Sequence, residues 1–415
     1  NVYSQIRKCN LMLQKMEENT SFIEQDRKYL TAQAKALRGI IYYTRARLFG
    51  KLMIVDKVIG ENDNMELPRT NTIKETYDFI LNDLKESIAD LPVTHGSQQG
   101  ILTQGAVYAL IAEIALQGAA YIENGQEEYY SIAKKASEDL FSLNQYELDA
   151  NYEKMFNEFD YAMGSKEIIL ADQRLESVFG LGVIGQMYNN DDAGWSSIVP
   201  TQNLVDMYEM DNGLTKEEAT GYYDAKHPFA NRDPRMDMTI LYPGQEWRGK
   251  ILNTLDEKLA DGSKNKNFPT YTDNASKTAL TWAKYLDPYE QYSNIWNTAA
   301  CVIIFRYAEV LLSWAEAENE LNGPSDQVYN YIDQIRERVG MPKVVRTKYD
   351  TQDKLRELIR RERCVEFAGE GLRRADILRW KDAGGKMLAE TLMSGDLKRI
   401  TGAINYSETD PYKRA

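Results

Sequence analysis

The stretch "WAKYLDPYEQYSNIW", residues 282 to 296, carries five aromatics: Trp282, Tyr285, Tyr289, Tyr292 and Trp296. Their spacing of three, four, three and four would align them on one face of an α-helix, yet Pro288 stands in the middle and removes a backbone donor. Asp287-Pro288 instead reads as an N-cap followed by proline at the first helical position, so the stripe divides. Trp282 and Tyr285 belong to a strand or loop leading in, whereas Tyr289, Tyr292 and Trp296 are expected to share one face of a short helix or turn. Aromatics at helical spacing are usually core, but Glu290, Gln291, Ser293, Asn294 and Asn297 lie around these three with few aliphatic residues, so a surface that binds a partner is an equal reading.

Other chemistries have weaker support. Only His95 and His227 could act as imidazole bases, and neither has ligand or triad spacing. Cys9, Cys301 and Cys364 form no close pair and read as small buried residues. Neither a metal centre nor a cofactor is indicated. Glu362 and Glu366 in "RRERCVEFAGEGLRRADILRW" are four residues apart on the inner face of a helix. They could be a catalytic pair, but on packed helices they are read as half of a structural ion-pair network, with Arg336, Arg363, Arg373 and Arg379 as partners.

The elements that must position these groups come in three segments folded as one unit. Residues 1–141 are helical: Val2, Ile6, Cys9, Leu13 and Met16 lie on one face, Leu30, Ala34, Leu37, Ile41 and Leu48 on the next. A second hairpin follows, whose alanine-rich member places Ala106, Ala109, Ala112 and Ala115 for close helix approach. Residues 142–299 change texture, with scattered Gly, Pro, Asn and Asp and strand-like "KEIILA" and "MTILY"; so long a loop-rich insertion is where a binding site is expected. Residues 300–415 return to helix, beginning with a packed helix from near Cys301 whose inner face holds Ile303, Tyr307, Val310, Leu311, Trp314, Ala317 and Leu321. The fold class is mostly α, an interrupted tetratricopeptide-like scaffold of helical hairpins with a large insertion containing short strands.

A formal net charge of −13, from 50 basic and 63 acidic residues, disfavours nucleic acid and anionic membrane faces. No stretch approaches the roughly 20 apolar residues of a membrane span. Tyrosine outnumbers phenylalanine 27 to 11, which favours aromatics that keep a polar edge near water.

Four stretches, in order, give the chain a family resemblance: "KALRGIIYYTRARLFG" (35–50), "NRDPRMDMTILYPG" (231–244), "RYAEVLLSWAEAENELNG" (306–323) and "ERCVEFAGEGLRRADILRW" (362–380). Together they resemble the SusD/RagB family of surface glycan-binding lipoproteins of Bacteroidetes. The resemblance implies four tetratricopeptide-like helix pairs, non-catalytic binding of glycans, an outer-leaflet position on the outer membrane, and a SusC-like TonB-dependent transporter as partner. Two departures fall at scaffold positions, where no proline follows Gly50 and Asp333 replaces the family's usual asparagine, and a more serious one is that the family's lipidated N-terminal cysteine is missing. Cys9 in "QIRKCN" follows charged residues rather than an apolar segment, so it is not a lipid-attachment site, and the chain is expected to lack its native start.

The family's ligand residues vary, so they are argued from chemistry. A sugar offers an apolar C–H face and a rim of hydroxyls, which calls for an aromatic platform beside hydrogen-bonding side chains. Two stretches qualify: Tyr289, Tyr292 and Trp296 with Asn294, and "GQMYNNDDAGWSSIVP" (185–200), with Tyr188 and Trp195 beside Asn190. Asp191 and Asp192 are too few oxygens for calcium. With Glu290 they are also the carboxylates that an alternative reading, a glycoside hydrolase, would need. A helical scaffold that binds peptides is the other alternative.

Overall fold

The computed structural model describes residues 2–64, 66–96, 100–269 and 274–415. Five long helices open the chain: α1 (Val2–Glu18), α2 (Glu24–Phe49), α3 (Ile73–Ser87), α4 (Gln104–Tyr121) and α5 (Gln126–Ser142). Side-chain caps set several starts, since Thr72 and Thr103 accept from the Glu75 and Ala106 amides at 3.1 and 3.2 Å. α4 is buried almost all round, with Ala106, Ala109, Ala112 and Ala115 all inside. Gly118 lets it meet α5: a Cβ there would come within 2.3 Å of the Tyr129 ring.

The next stretch holds short helices α6 (Lys154–Asn157), α7 (Phe159–Gly164), α8 (Gln202–Met207) and α9 (Arg235–Thr239). Its strands are β1 (Ile168–Arg174), β2 (Ile240–Leu241), β3 (Glu246–Trp247), β4 (Lys250–Ile251) and β5 (Thr281–Trp282); β6 (Ala300–Arg306) follows. They pair antiparallel as β1–β6, β2–β5 and β3–β4. Helices then resume as α10 (Tyr307–Asn322), α11 (Asp326–Arg338), α12 (Gln352–Glu366) and α13 (Arg373–Arg379). α5 packs on α4 and on α10, so the helical layers on either side of the insertion are continuous.

Two expectations about helices are corrected. Ala300–Arg306 is a strand, not the first turns of α10, because β-branched and aromatic residues there pair along β1, with Ile303 opposite Ala171. On α2, Leu37 and Leu48 are exposed while Ala32, Ala36, Arg38, Tyr42, Tyr43 and Ala46 are buried. Ala34 of the expected face is buried and Leu30 and Ile41 are half-buried, but the buried arc is shifted toward Arg38, which is satisfied inside by a two-pronged bond to Asp83, 2.7 Å at each nitrogen. The three cysteines are free and buried.

Glu362 and Glu366 sit in an ion-pair network whose partners come from both parts of the fold. Arg235 of "NRDPR" reaches Asp233 at 2.6 Å and both Glu362 and Glu366 at 3.0 Å. Arg336 joins Glu362 (2.5 Å) to Glu209 (2.8 Å). Arg306 holds Glu167, Glu366 and Glu370 at 2.7 Å each. Arg338 pairs with Glu167 and Glu366, and Lys284 with Glu370 at 2.6 Å. Of the four arginines expected as partners, Arg336 alone belongs to this network. Arg363 and Arg379 form a second cluster with Asp376 and Glu316, and Arg373 lies over the Trp380 ring. The missed partners, Arg235, Arg306 and Arg338, lie 131, 60 and 28 residues from Glu366 in sequence.

Burial alone would raise the Glu366 carboxyl, but Arg338, Arg306 and Arg235 hold it well below its ordinary 4.5. Burial likewise opposes Arg379 at Glu316, and the arginine brings that carboxyl down to about 2. Glu309 on α10 is the opposite case: burial first, and then the nearby Glu113 carboxyl, push it well up.

Removing Arg235 would leave the buried Asp233 carboxylate without a cation and take one partner each from Glu362 and Glu366, so Arg235→Met is expected to cost about 3–5 kcal/mol in urea unfolding. Groups with depressed folded values contribute stability that is complete above the unfolded value and lost on acidification. The unfolding midpoint is therefore expected to hold down to about pH 4.5 and fall as pH drops toward about 2. Glu309 has the reverse sign, its contribution being lost as pH rises from about 4.5 through its raised folded value. Glu309→Gln should consequently gain in midpoint over wild type more at pH 8 than at pH 4.

Candidate functional site

The aromatic segment 282–296 does not form a helix after Pro288. Asp287, itself buried, accepts from the backbone amides of Tyr289 (2.9 Å), Gln291 (2.5 Å) and Tyr292 (3.3 Å). Those bonds replace the helical i to i+4 ladder, and Glu290, at φ 56°, turns the chain out of the helical region. Tyr289, Tyr292 and Trp296 therefore do not share a helix face, which corrects the expectation. Trp282 is buried in β5, as expected for the lead-in part of the stripe.

Trp296 instead meets Trp195. Their ring centroids are 4.4 Å apart with planes inclined at 57°, which brings the two aromatic stretches into one cluster. Trp195 is 47% exposed and Trp296 is half-buried, so the pair keeps a face toward water. Backbone bonds fix both. The Trp195 amide donates to the Gly185 carbonyl (3.1 Å), and the Trp296 indole N–H donates to the Ala193 carbonyl (3.3 Å). Gly185 is the floor under Trp296: a Cβ there would lie 2.4 Å from indole Cδ2.

The remaining candidates take different positions. Tyr188 is 1% exposed, with its hydroxyl accepting from the Asp287 amide at 2.6 Å, so it is a strut beneath the platform and cannot present a face to a ligand. Tyr292 is half-buried and lines a small internal cavity with Tyr188, Tyr285 and Phe156. Tyr289 stands 63% exposed. Asn294 is exposed and its side-chain oxygen accepts from the Trp296 amide at 2.9 Å. Asn190 bonds the Lys266 carbonyl at 3.0 Å, and its amide donates to Asn267.

Trp247 and Arg248, overlooked in the sequence, hold the two loops together. The β3–β4 hairpin turns through Arg248 (φ 48°) and Gly249 (φ 71°), and this tight turn aims Arg248 between the loops. Its guanidinium donates to the Asp287 carbonyl (2.5 and 2.9 Å) and to Asp192 (3.2 Å), and lies over the Tyr188 ring at 4.9 Å. The Trp247 indole N–H donates to Asp192 at 2.8 Å. The pattern "EWRGK", a two-residue turn with glycine second, was the available signal. Asp192 is thus consumed by structure, and Asp191 accepts from Asn267 at 2.8 Å.

A second overlooked element borders the pair. After β1 the chain turns at Leu175–Phe179, leaving Val178 81% and Phe179 63% exposed. It then runs beside the Trp296 loop, where the Leu181 amide donates to the Thr298 carbonyl at 3.0 Å and Gly180 abuts Asn297. A cavity of about 700 Å³ at the α1–α2 hairpin, walled by Tyr3, Ile6, Tyr42 and Phe49, is remote from this cluster.

A mostly helical scaffold whose irregular insertion carries a half-exposed tryptophan pair defines a class of repeat-like binding folds, and comparison with known proteins narrows it. Residues 144–410 match the model of the SusD family, and residues 1–116 match a family described as starch-binding associating with outer membrane. The chain belongs to the SusD family. It is 25% identical over 407 residues to SusD-like protein P25 of Formosa agariphila, covering 91% of this chain and 69% of that protein. It is also 25% identical over 433 residues to the starch-binding protein SusD of Bacteroides thetaiotaomicron, covering 92% and 72%. A crystal structure of a SusD-like carbohydrate binding protein from Bacteroides fragilis superposes with a TM-score of 0.79 at 26% identity, covering 91% of this chain and 72% of that one. Among the described residues no helix is long and apolar enough to cross a membrane.

Because Gly185 leaves no room for a methyl group under the indole, Gly185→Ala should displace Trp296. The expected outcome is a red-shifted tryptophan emission with an unchanged far-ultraviolet circular dichroism spectrum.

Proposed function

We propose that this chain binds oligo- or polysaccharide at the cell surface without cleaving it, and passes it to a SusC-like TonB-dependent outer-membrane transporter. The observation that carries the reading is the Trp195–Trp296 pair, two indoles from separate loops held at 4.4 Å with one face open to water. Rigid indoles match the C–H face of a pyranose, and their backbones are already pinned, so little conformational freedom is lost on binding. Exposed Asn294, Gln291 and Tyr289 supply hydrogen-bonding groups nearby for the hydroxyl rim. Phe179, on the neighbouring turn, extends the apolar surface.

Non-catalytic binding agrees with how the local carboxylates are used. A hydrolase needs two carboxyl groups free to exchange protons across the scissile bond. Asp192 instead accepts from Trp247, Arg248 and Asn189. The relatives' names point the same way, one being starch-binding and another carbohydrate binding. Delivery to a transporter follows the role implied by the family resemblance, and the family matched by residues 1–116 is described as associating with the outer membrane.

A polysaccharide binding panel by affinity electrophoresis tests the site. Trp195→Ala and Trp296→Ala are each expected to weaken binding about five- to tenfold, from loss of an aromatic contact worth about 1 kcal/mol. Retention of a sugar by wild type and both variants alike would remove the platform from the site.

A further inference from the structure

The two segments that build the platform share a property that the platform itself does not require. Residues 175–215 contain no lysine or arginine, and neither do residues 285–305. At the chain's average of 50 such residues in 415, these two segments would carry about seven. They do carry acids: Glu176, Asp191, Asp192, Asp206, Glu209 and Asp211 in the first, Asp287 and Glu290 in the second.

The two arginines nearest the pair, Arg174 and Arg248, are each already paired with a carboxylate. Arg174, next in sequence to the Leu175–Phe179 turn, is paired with Asp172. Arg248 is bound to Asp192 and lies 3.9 Å from Asp287, with its side chain 7% exposed. Lys250 borders a small cleft that it shares with Asp191, Asp192 and Glu290 as well as Arg248, so three carboxylates there face two cations. Lys266 is exposed and stands on the Asn190 side of that cleft. Glu176 and Glu290 are exposed acids. Tyr292 reports the resulting field: burial raises its phenol, and the carboxylates of Asp287, Glu176 and Asp160 raise it further. The whole chain adds to this with a formal charge of −13.

We infer that the Trp195–Trp296 platform selects uncharged glycans and rejects those bearing carboxylate or sulfate groups. The inference rests on the glycan-binding reading and specifies its ligand class. Recognition of a uronic acid or a sulfate ester calls for a charge-assisted donor, normally an arginine fork, beside the stacking face. Here Arg174, over the Phe179 ring at 4.2 Å, and Arg248 are already occupied by Asp172 and Asp192, and the exposed charges beside the indoles are Glu176 and Glu290, so an anionic sugar would have to displace an existing ion pair and would approach against like charge. Rejection is thus built into composition, whereas acceptance comes from the indoles.

The test uses amylopectin, galactomannan and mixed-linkage β-glucan, each native and carboxylated at C6, with polygalacturonate as a naturally anionic probe. Wild type is expected to bind at least one native polymer and to bind its carboxylated form about tenfold more weakly at low salt. The gap should close to about twofold near 1 M salt, where the Debye length falls to about 3 Å. It should close similarly at low salt in Glu176→Lys/Glu290→Lys, both positions being exposed and removed from the core. Equal or tighter binding of a carboxylated polymer or of polygalacturonate by wild type would overturn the inference while leaving glycan binding in place. A gap insensitive to both salt and the charge reversals would overturn it as well, since bulk at C6 would then be the cause. Binding of no polymer, native or anionic, would overturn the glycan-binding reading and this inference together.

Discussion

Six carboxylates, Asp233, Glu167, Glu209, Glu362, Glu366 and Glu370, share one buried network with Arg235, Arg306, Arg336, Arg338 and Lys284, and the seating of the insertion on the C-terminal helices depends on their mutual neutralisation. Arg361, at the edge, completes the balance on Glu209. No member could be buried alone, because desolvating a single charge costs several kcal/mol. The network therefore makes the helices of the C-terminal scaffold and the irregular insertion conditions for each other. α11 and α12 present Arg336, Arg338, Glu362 and Glu366; the insertion supplies Glu167, Glu209, Asp233, Arg235 and Lys284; and Arg306 arrives at the end of β6. A loop-rich segment with few regular hydrogen bonds gains a defined seat from these contacts.

That seat explains how loops can carry a rigid platform. Lys284 is anchored to Glu370 just ahead of Asp287, and Asp287 then gathers three amides of the following turn. Arg248 ties this turn to the opposite loop, and Tyr188 stands beneath it as a strut. Each step toward the surface exchanges ionic contacts for backbone hydrogen bonds and finally for ring packing. The two tryptophans end where the scaffold's electrostatics no longer need to be satisfied, and the surrounding surface is left free to carry the negative field that the two cation-free segments give it.

The segment 282–296 shows what could be read in advance and what could not. Pro288 and Asp287 announced a break and a cap, and both are present. The helix expected beyond them is absent, since three amides bind one carboxylate and Glu290 adopts a positive φ. Tyr188 and Trp195, seven residues apart in one polar loop, looked alike as aromatic residues among Asn and Asp. One is a buried strut and the other an open ring, because Gly194 packs against the Tyr188 backbone and Ser196 bonds back to it, which turns Trp195 outward. Arg38 on α2 lay outside the expected inner face for the same reason that Arg235 was not foreseen as a partner of Glu366: a charged side chain enters a core only when its counterion is delivered from elsewhere.

By itself the sequence determined the helical hairpins, through apolar periodicity and caps, the position of the loop-rich insertion, through Gly, Pro and Asn content, and the need to neutralise Glu362 and Glu366, through their place on an inward helix face. It also determined the absence of cations from the two segments at the platform, which is a matter of composition. Tertiary structure alone decided which arginines neutralise those carboxylates, which of the aromatics face water, and that Trp195 and Trp296, 101 positions apart, form one surface. The physical reason is range. Periodicity and capping act over a few residues and are written locally, whereas ion pairing and ring packing depend on which distant residues the folded chain sets within a few ångströms, and no local pattern encodes that distance.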